Sequence, residues 1–197
     1  MQPLILASAS PRRRRLLQEA GVHFSAIPSD APEDIHPGEA PEAYALRVAR
    51  EKAWKVARQH PDHWILGADT IVEIDGQILG KPRDAADGAR MLRLLSGRTH
   101  RVMTAFVLLD GVGQMRASQV VTSHVTFKTL SEDQIRDYLS TGEPTDKAGA
   151  YAIQGIGAAL VERVKGSYTN VVGLPVEEVL TALRAVGALP SEHTQHV

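Results

Sequence analysis

The chain has 197 residues, a formal net charge of −1, and 43% hydrophobic and 23% charged residues, with no cysteine. These are the values of a soluble globular protein with a substantial core, and they exclude disulfides and thiolate metal sites. Near-neutral charge and 5% aromatic residues argue against a nucleic-acid surface, and no apolar run approaches the ~20 residues of a membrane span. The expected location is the cytoplasm, with Met1 leading into a strand-like segment rather than a signal peptide.

Residues 3–8 (PLILAS) read as a short apolar strand. Ser10 can cap, and Pro11 can open, a helix that runs to Gly21. A second strand is expected over 22–28, then an acidic, proline-rich loop and a long helix over 41–60. "WILGADTIVEIDGQILGKP" reads as two strands joined by the Asp75-Gly76 turn. Asp84 caps a helix that ends at Ser96-Gly97, and two long strands follow around the Asp110-Gly111 turn. Ser131 and Gln134 form a capping box for the next helix, which ends at Gly142. A glycine-rich loop then leads to a last helix opened by Pro175. Hairpin-linked strands cannot all be parallel, so the expected class is α/β with a mixed sheet and flanking helices, in two lobes. One domain is expected over 1–190, with 191–197 as a flexible tail.

Three stretches carry possible chemistry. In "LILASASPRRRRLL", a strand, a small-residue turn and a helix start present free backbone N–H groups to an anion, with Ser8 and Ser10 adding hydroxyls. Arginines 12 to 15 stand where the helix dipole opposes cations. At about 100° per residue they fan around the axis, so Arg12 and Arg13 could fold over the turn while Arg14 and Arg15 face water. A phosphate site and a merely solvated basic patch stand even here.

On the 41–60 helix, Lys52 lies within the apolar stripe of Ala45, Val48, Ala49 and Val56. Such a lysine either snorkels to an edge or is held against a buried anion, and snorkelling is commoner. Replacing it with alanine is expected to improve or spare stability, by deleting a charge from an apolar face, and to weaken binding of any anion held there. In "GADTIVEIDGQILGKP", Asp69 at a strand end and Lys81 beyond the hairpin could face one cleft, or be a turn residue and a solvated cation. Glu33 is likewise either a loop acid or a partner of Asp69 in holding a hard divalent cation.

Taken together, "LILASASPRRRRLL", "PSDAPEDIHPGE", "REKA", "GADTIV", "LGKP", "LSGRTHRVMT" and "DKAGAYAIQGIGAALVERVKGSYTNVVGLP" resemble the Maf family of nucleoside triphosphate pyrophosphatases. The resemblance spans almost the whole chain and departs from the family at Pro32, an extra proline before Glu33. It implies a cleft between two lobes, as in inosine triphosphate pyrophosphatases, and metal-dependent hydrolysis of a nucleoside triphosphate to monophosphate and pyrophosphate. It further implies Mg²⁺ or Mn²⁺ as the cation and a homodimer. By motif, Asp69 takes the proton-acceptor position, and Ser8, Arg12, Arg13, Glu33, Lys52 and Lys81 take phosphate- and metal-handling positions, with Glu33 and Asp69 on the metal. "DKAGAYAIQG" is similar to the subgroup acting on dTTP and UTP, and Arg12, Thr70 and Gln154 match its substrate-discriminating positions; modified pyrimidine nucleotides are further candidates. The competing class is a non-catalytic, nucleotide-binding regulator of septum formation.

Overall fold

A computed structural model describes residues 2–190, so the tail expected at 191–197 lies outside the described residues. The chain order is β1 (Leu4–Leu6), α1 (Pro11–Glu19), β2 (Ser25–Ala26), α2 (Pro41–Ala57), β3 (Trp64–Ile74), β4 (Gln77–Leu79), α3 (Ala85–Leu95), β5 (Thr99–Leu109) and β6 (Met115–Phe127). It continues with α4 (Glu132–Ser140), three 3-10 turns, β7 (Val161–Lys165), α5 (Tyr168–Val172) and α6 (Val176–Ala185). The local signals work as read. Ser10 Oγ accepts from the Arg13 amide, Asp84 caps α3 through the Asp87 amide, and Ser131 with Gln134 closes the capping box of α4.

The strands form one sheet of seven, ordered β2-β1-β3-β5-β6-β7, with β4 also on β3. β1 runs parallel to β2 and β3, while every other pairing is antiparallel. The mixed α/β sheet with flanking helices is therefore as anticipated. Three readings shift. β2 shrinks to two residues, α2 stops at Ala57, and the glycine-rich segment expected as loop holds β7 and α5. The sequence of β7, Val-Glu-Arg-Val-Lys, is charged and only weakly alternating, which hides it from a period-two search.

The pairing of β3 creates the site. On one edge, β1 covers Trp64–Leu66 and β4 covers Val72–Ile74, while the opposite edge is occupied continuously by β5. On the first edge, between β1 and β4, a window over residues 67–71 has no strand partner among the described residues. Successive side chains there point to opposite faces. Leu66 and Ala68 join the cluster of α1 and α6, whereas Ile65 and Ile71 join that of α2. A third cluster packs α3 and α4 against β4 and the far halves of β3, β5 and β6. The long strands thus carry helices at both ends and leave the gap between them. No helix among the described residues is long and apolar enough to cross a membrane.

Candidate active site

The window in β3 opens into a cleft of about 550 Å³, a size suited to a small molecule. Its walls come from the turn after β1, the loop before α2, α2 itself, the β4 end, and the segment from Asp146 to Gln154. Ser8, Arg12, Arg13, Glu33, Lys52, Asp69, Thr70, Lys81 and Gln154 all line it. Residues dispersed over almost the whole sequence therefore meet in one place.

Alternation along β3 sets two opposed polar groups. Asp69 points to the α2 side and is buried. Its Oδ1 lies 2.8 Å from Lys52 Nζ, which also reaches Glu33 Oε1 at 2.7 Å. Lys52 does not snorkel; it is buried and held between two carboxylates. Burial disfavours the Glu33 carboxylate, but the hydrogen bond and charge of Lys52, with Lys81 and Arg13 behind it, outweigh that and lower its pKa. The expectation that removing Lys52 spares stability is corrected by this geometry, because Asp69 would be left buried without its cation.

The acidic loop is exposed from Pro32 to Gly38, yet it is tied to α2. Tyr44 OH donates to the Glu33 carbonyl at 2.8 Å, and Arg47 donates to Glu39 Oε1 at 2.6 Å and to the Asp34 carbonyl at 2.7 Å. The extra Pro32 thus leaves Glu33 facing the cleft.

Thr70 points to the other face, toward α1. There Arg13 is buried beneath the turn, donating through Nε to the Gly173 carbonyl at 2.7 Å, through Nη2 to Thr70 Oγ1 at 3.0 Å and through Nη1 to Ser8 Oγ at 3.3 Å. Burial pulls its pKa below the ordinary arginine value; the charges of Asp69 and Glu33 oppose that, and Arg12 adds to it. A guanidinium does not lose its proton in proteins, so a fixed positive charge backs the turn. Arg12 is half-buried, while Arg14 and Arg15 are exposed. The order of depth is therefore Arg13 before Arg12. Ser8 Oγ accepts from both Arg13 and the Ser10 amide, which leaves its hydroxyl hydrogen to donate.

Two groups were missed from sequence. Asn170, fully buried, donates to the Val102 carbonyl at 3.1 Å and to Ser123 Oγ at 2.9 Å, anchoring α5 so that Gly173 meets Arg13. Lys147 lines the cleft as a further cation, two residues before Gly149. Its signal in the sequence is the lysine of "DKAGAYAIQG", the segment that also carries Gln154.

Glu33 and Asp69 each engage Lys52 through one oxygen, leaving the other available to a ligand. Among the described residues no group of three or more His, Cys, Asp or Glu side chains converges as a self-sufficient metal centre. Two carboxylates completed by substrate phosphates are the usual donor set for Mg²⁺, so the residues fit an ion that arrives with a polyphosphate.

The pattern of a family described as "Maf-like protein" matches residues 3–186. The chain is 52% identical over 186 residues to a dTTP/UTP pyrophosphatase of Geobacter sulfurreducens, covering 94% of this chain and 97% of the relative. It is 50% identical over the same length, with the same coverage, to a dTTP/UTP pyrophosphatase of Geobacter metallireducens. Among solved structures, a nucleoside-triphosphatase / dITP/XTP pyrophosphatase from Mycobacterium abscessus aligns over 95% of this chain and 98% of its own, at 17% identity and a TM-score of 0.42.

Proposed function

The chain belongs to the family of Maf-like proteins, and from that premise we propose that it hydrolyses dTTP and UTP to the nucleoside monophosphate and pyrophosphate. The observation that carries this reading is the row Glu33–Lys52–Asp69 facing the Ser8–Arg13 turn across one cleft. Carboxylates and cations so opposed suit a substrate rich in negative charge whose reaction needs a base.

In this mechanism the triphosphate lies over the turn, receiving the Ser8 hydroxyl and the charges of Arg12, Lys52 and Lys81, with Arg13 beneath. Asp69 orients a water at the α-phosphorus and accepts its proton as the new P–O bond forms. The bond from the α-phosphorus to the bridging oxygen breaks, and pyrophosphate leaves with its developing charge spread over the surrounding cations. Lys52 fixes the Asp69 carboxylate and moderates its repulsion of the phosphates. Glu33 and Asp69 would hold Mg²⁺ or Mn²⁺, which when bound polarises phosphate oxygens and neutralises charge. Gln154, exposed in the wall, offers a donor and an acceptor to a pyrimidine edge. Thr70 acts here through Arg13, since its hydroxyl is engaged by Arg13, Thr104 and Gly173. A cytoplasmic, homodimeric enzyme completes the proposal, the dimer to be checked by sedimentation.

The test is a panel of nucleoside triphosphates assayed for pyrophosphate with and without a divalent ion. dTTP and UTP should be the best substrates, dependent on the ion, and Asp69→Asn should lower kcat by at least about 100-fold. Tight nucleotide binding without turnover would instead identify a sensor of nucleotides.

A further inference from the structure

Gln154 stands between two segments tied to a single carboxylate that the reaction itself does not use. Glu143 opens the 3-10 turn Glu143–Asp146. Its Oε2 accepts from the Ile156 amide at 3.0 Å, and its Oε1 accepts from the Gly157 amide at 3.1 Å and from Tyr138 OH at 3.1 Å. Tyr138 OH in turn accepts from the Ala152 amide at 3.2 Å. The chain is therefore clamped both before and after Gln154. Burial raises the pKa of the Tyr138 phenol, which keeps it a neutral donor to the carboxylate.

The backbone is shaped to admit this clamp. Gly155 has a φ of +69°, and a Cβ there would lie 3.1 Å from Glu143 Oε2. At Gly157 a Cβ would come within 2.1 Å of the Ala152 carbonyl and 2.6 Å of Tyr138 OH. Any side chain at 157 would have to displace the Ala152 carbonyl and the Tyr138 phenol. The Glu143 carbonyl also accepts from Lys147 Nζ at 2.9 Å, so one residue fixes both Gln154 and a cleft cation.

We propose that Glu143, seconded by Tyr138, is the positioning residue for base selection: it fixes the backbone on either side of Gln154, so that the exposed amide reaches a pyrimidine from one set place in the wall. The inference rests on reading the cleft as a pyrimidine nucleoside triphosphate site. A glutamine on a loose segment can follow many base edges, whereas one rooted at a fixed place in the wall reaches only those that present a matching donor and acceptor there.

The experiment compares the parent protein with Glu143→Gln and, independently, Tyr138→Phe. For each, kcat and KM are measured for dTTP, UTP and GTP, together with amide hydrogen exchange of residues 152–157. Glu143→Gln should raise KM for dTTP roughly tenfold with kcat changed less than about twofold, and lower the dTTP-to-GTP preference roughly tenfold. Exchange should quicken at Ile156 and Gly157 while the sheet stays protected. Tyr138→Phe should move the same quantities in the same direction by less, and carries the test alone if the Glu143 variant does not fold. Unchanged base preference in a folded variant, or an equal fall in kcat for every triphosphate, overturns the inference while leaving the functional reading intact. A parent protein inactive on dTTP and UTP overturns that reading, and the inference with it.

Discussion

Lys52 shows how a single side chain changes meaning once its surroundings are known. Its position on an apolar stripe was legible in the sequence, but its partners lie on β3 and in the loop before α2, which no helical periodicity reveals. Breaking a buried ion pair by removing one member leaves the other charge without compensation. Lys52→Ala should therefore lower apoprotein stability by about 3 kcal/mol at neutral pH, read by urea denaturation, and raise KM for the triphosphate. A variant as stable as the parent would contradict this reading of the pair. Arg13 carries a second lesson at this scale. Four arginines in a row predict a basic patch, yet which one turns inward depends on Ser8, Thr70 and Gly173, brought together only by the fold.

At the level of elements, strands and helices with strong caps or Asp-Gly turns were readable, and those formed by distant pairing were not. β7 and α5 exist because β6 offers an edge and because Asn170 reaches Val102 and Ser123, neither of which leaves a local signature. The packing of α2 on β3 is equally invisible in periodicity, and it sets the Lys52–Asp69 distance. Gly67 permits it, since a Cβ there would lie 2.3 Å from the Ala49 carbonyl and 2.8 Å from Ala53 Cβ. Gly67→Ala should push α2 away from the sheet, cost about 2 kcal/mol and impair turnover together. Thermal denaturation and kinetics on the same preparation check this, and full activity in a destabilised variant would separate the packing from the site.

Across the whole molecule, the cleft sits where one long strand runs on past the end of β1 before β4 begins, so its floor belongs to both ends of the sheet. Stability behind that wall should depend on pH through His100, buried against Phe127 and bonded to Tyr151 OH at 2.7 Å. Burial pulls its pKa from 6.5 down to about 4, with Glu73 acting weakly the other way. Between those values the unfolded chain binds more protons than the native one, so stability rises with pH across that window and is lost as pH falls through it. The loss amounts to about 3 kcal/mol, and His100→Gln should remove it from urea titrations between pH 4 and 7; parallel curves for parent and variant would contradict this. The place of the polyphosphate, on the Ser8–Arg13 turn, governs every role assigned above. The most direct measurement is a crystal structure of Asp69→Asn soaked with dTTP and Mg²⁺. The phosphates should rest on the Ser8–Arg13 turn, with the α-phosphorus beside residue 69 and the base at Gln154. Phosphates bound outside the cleft, or a base seated at the turn, would contradict the account.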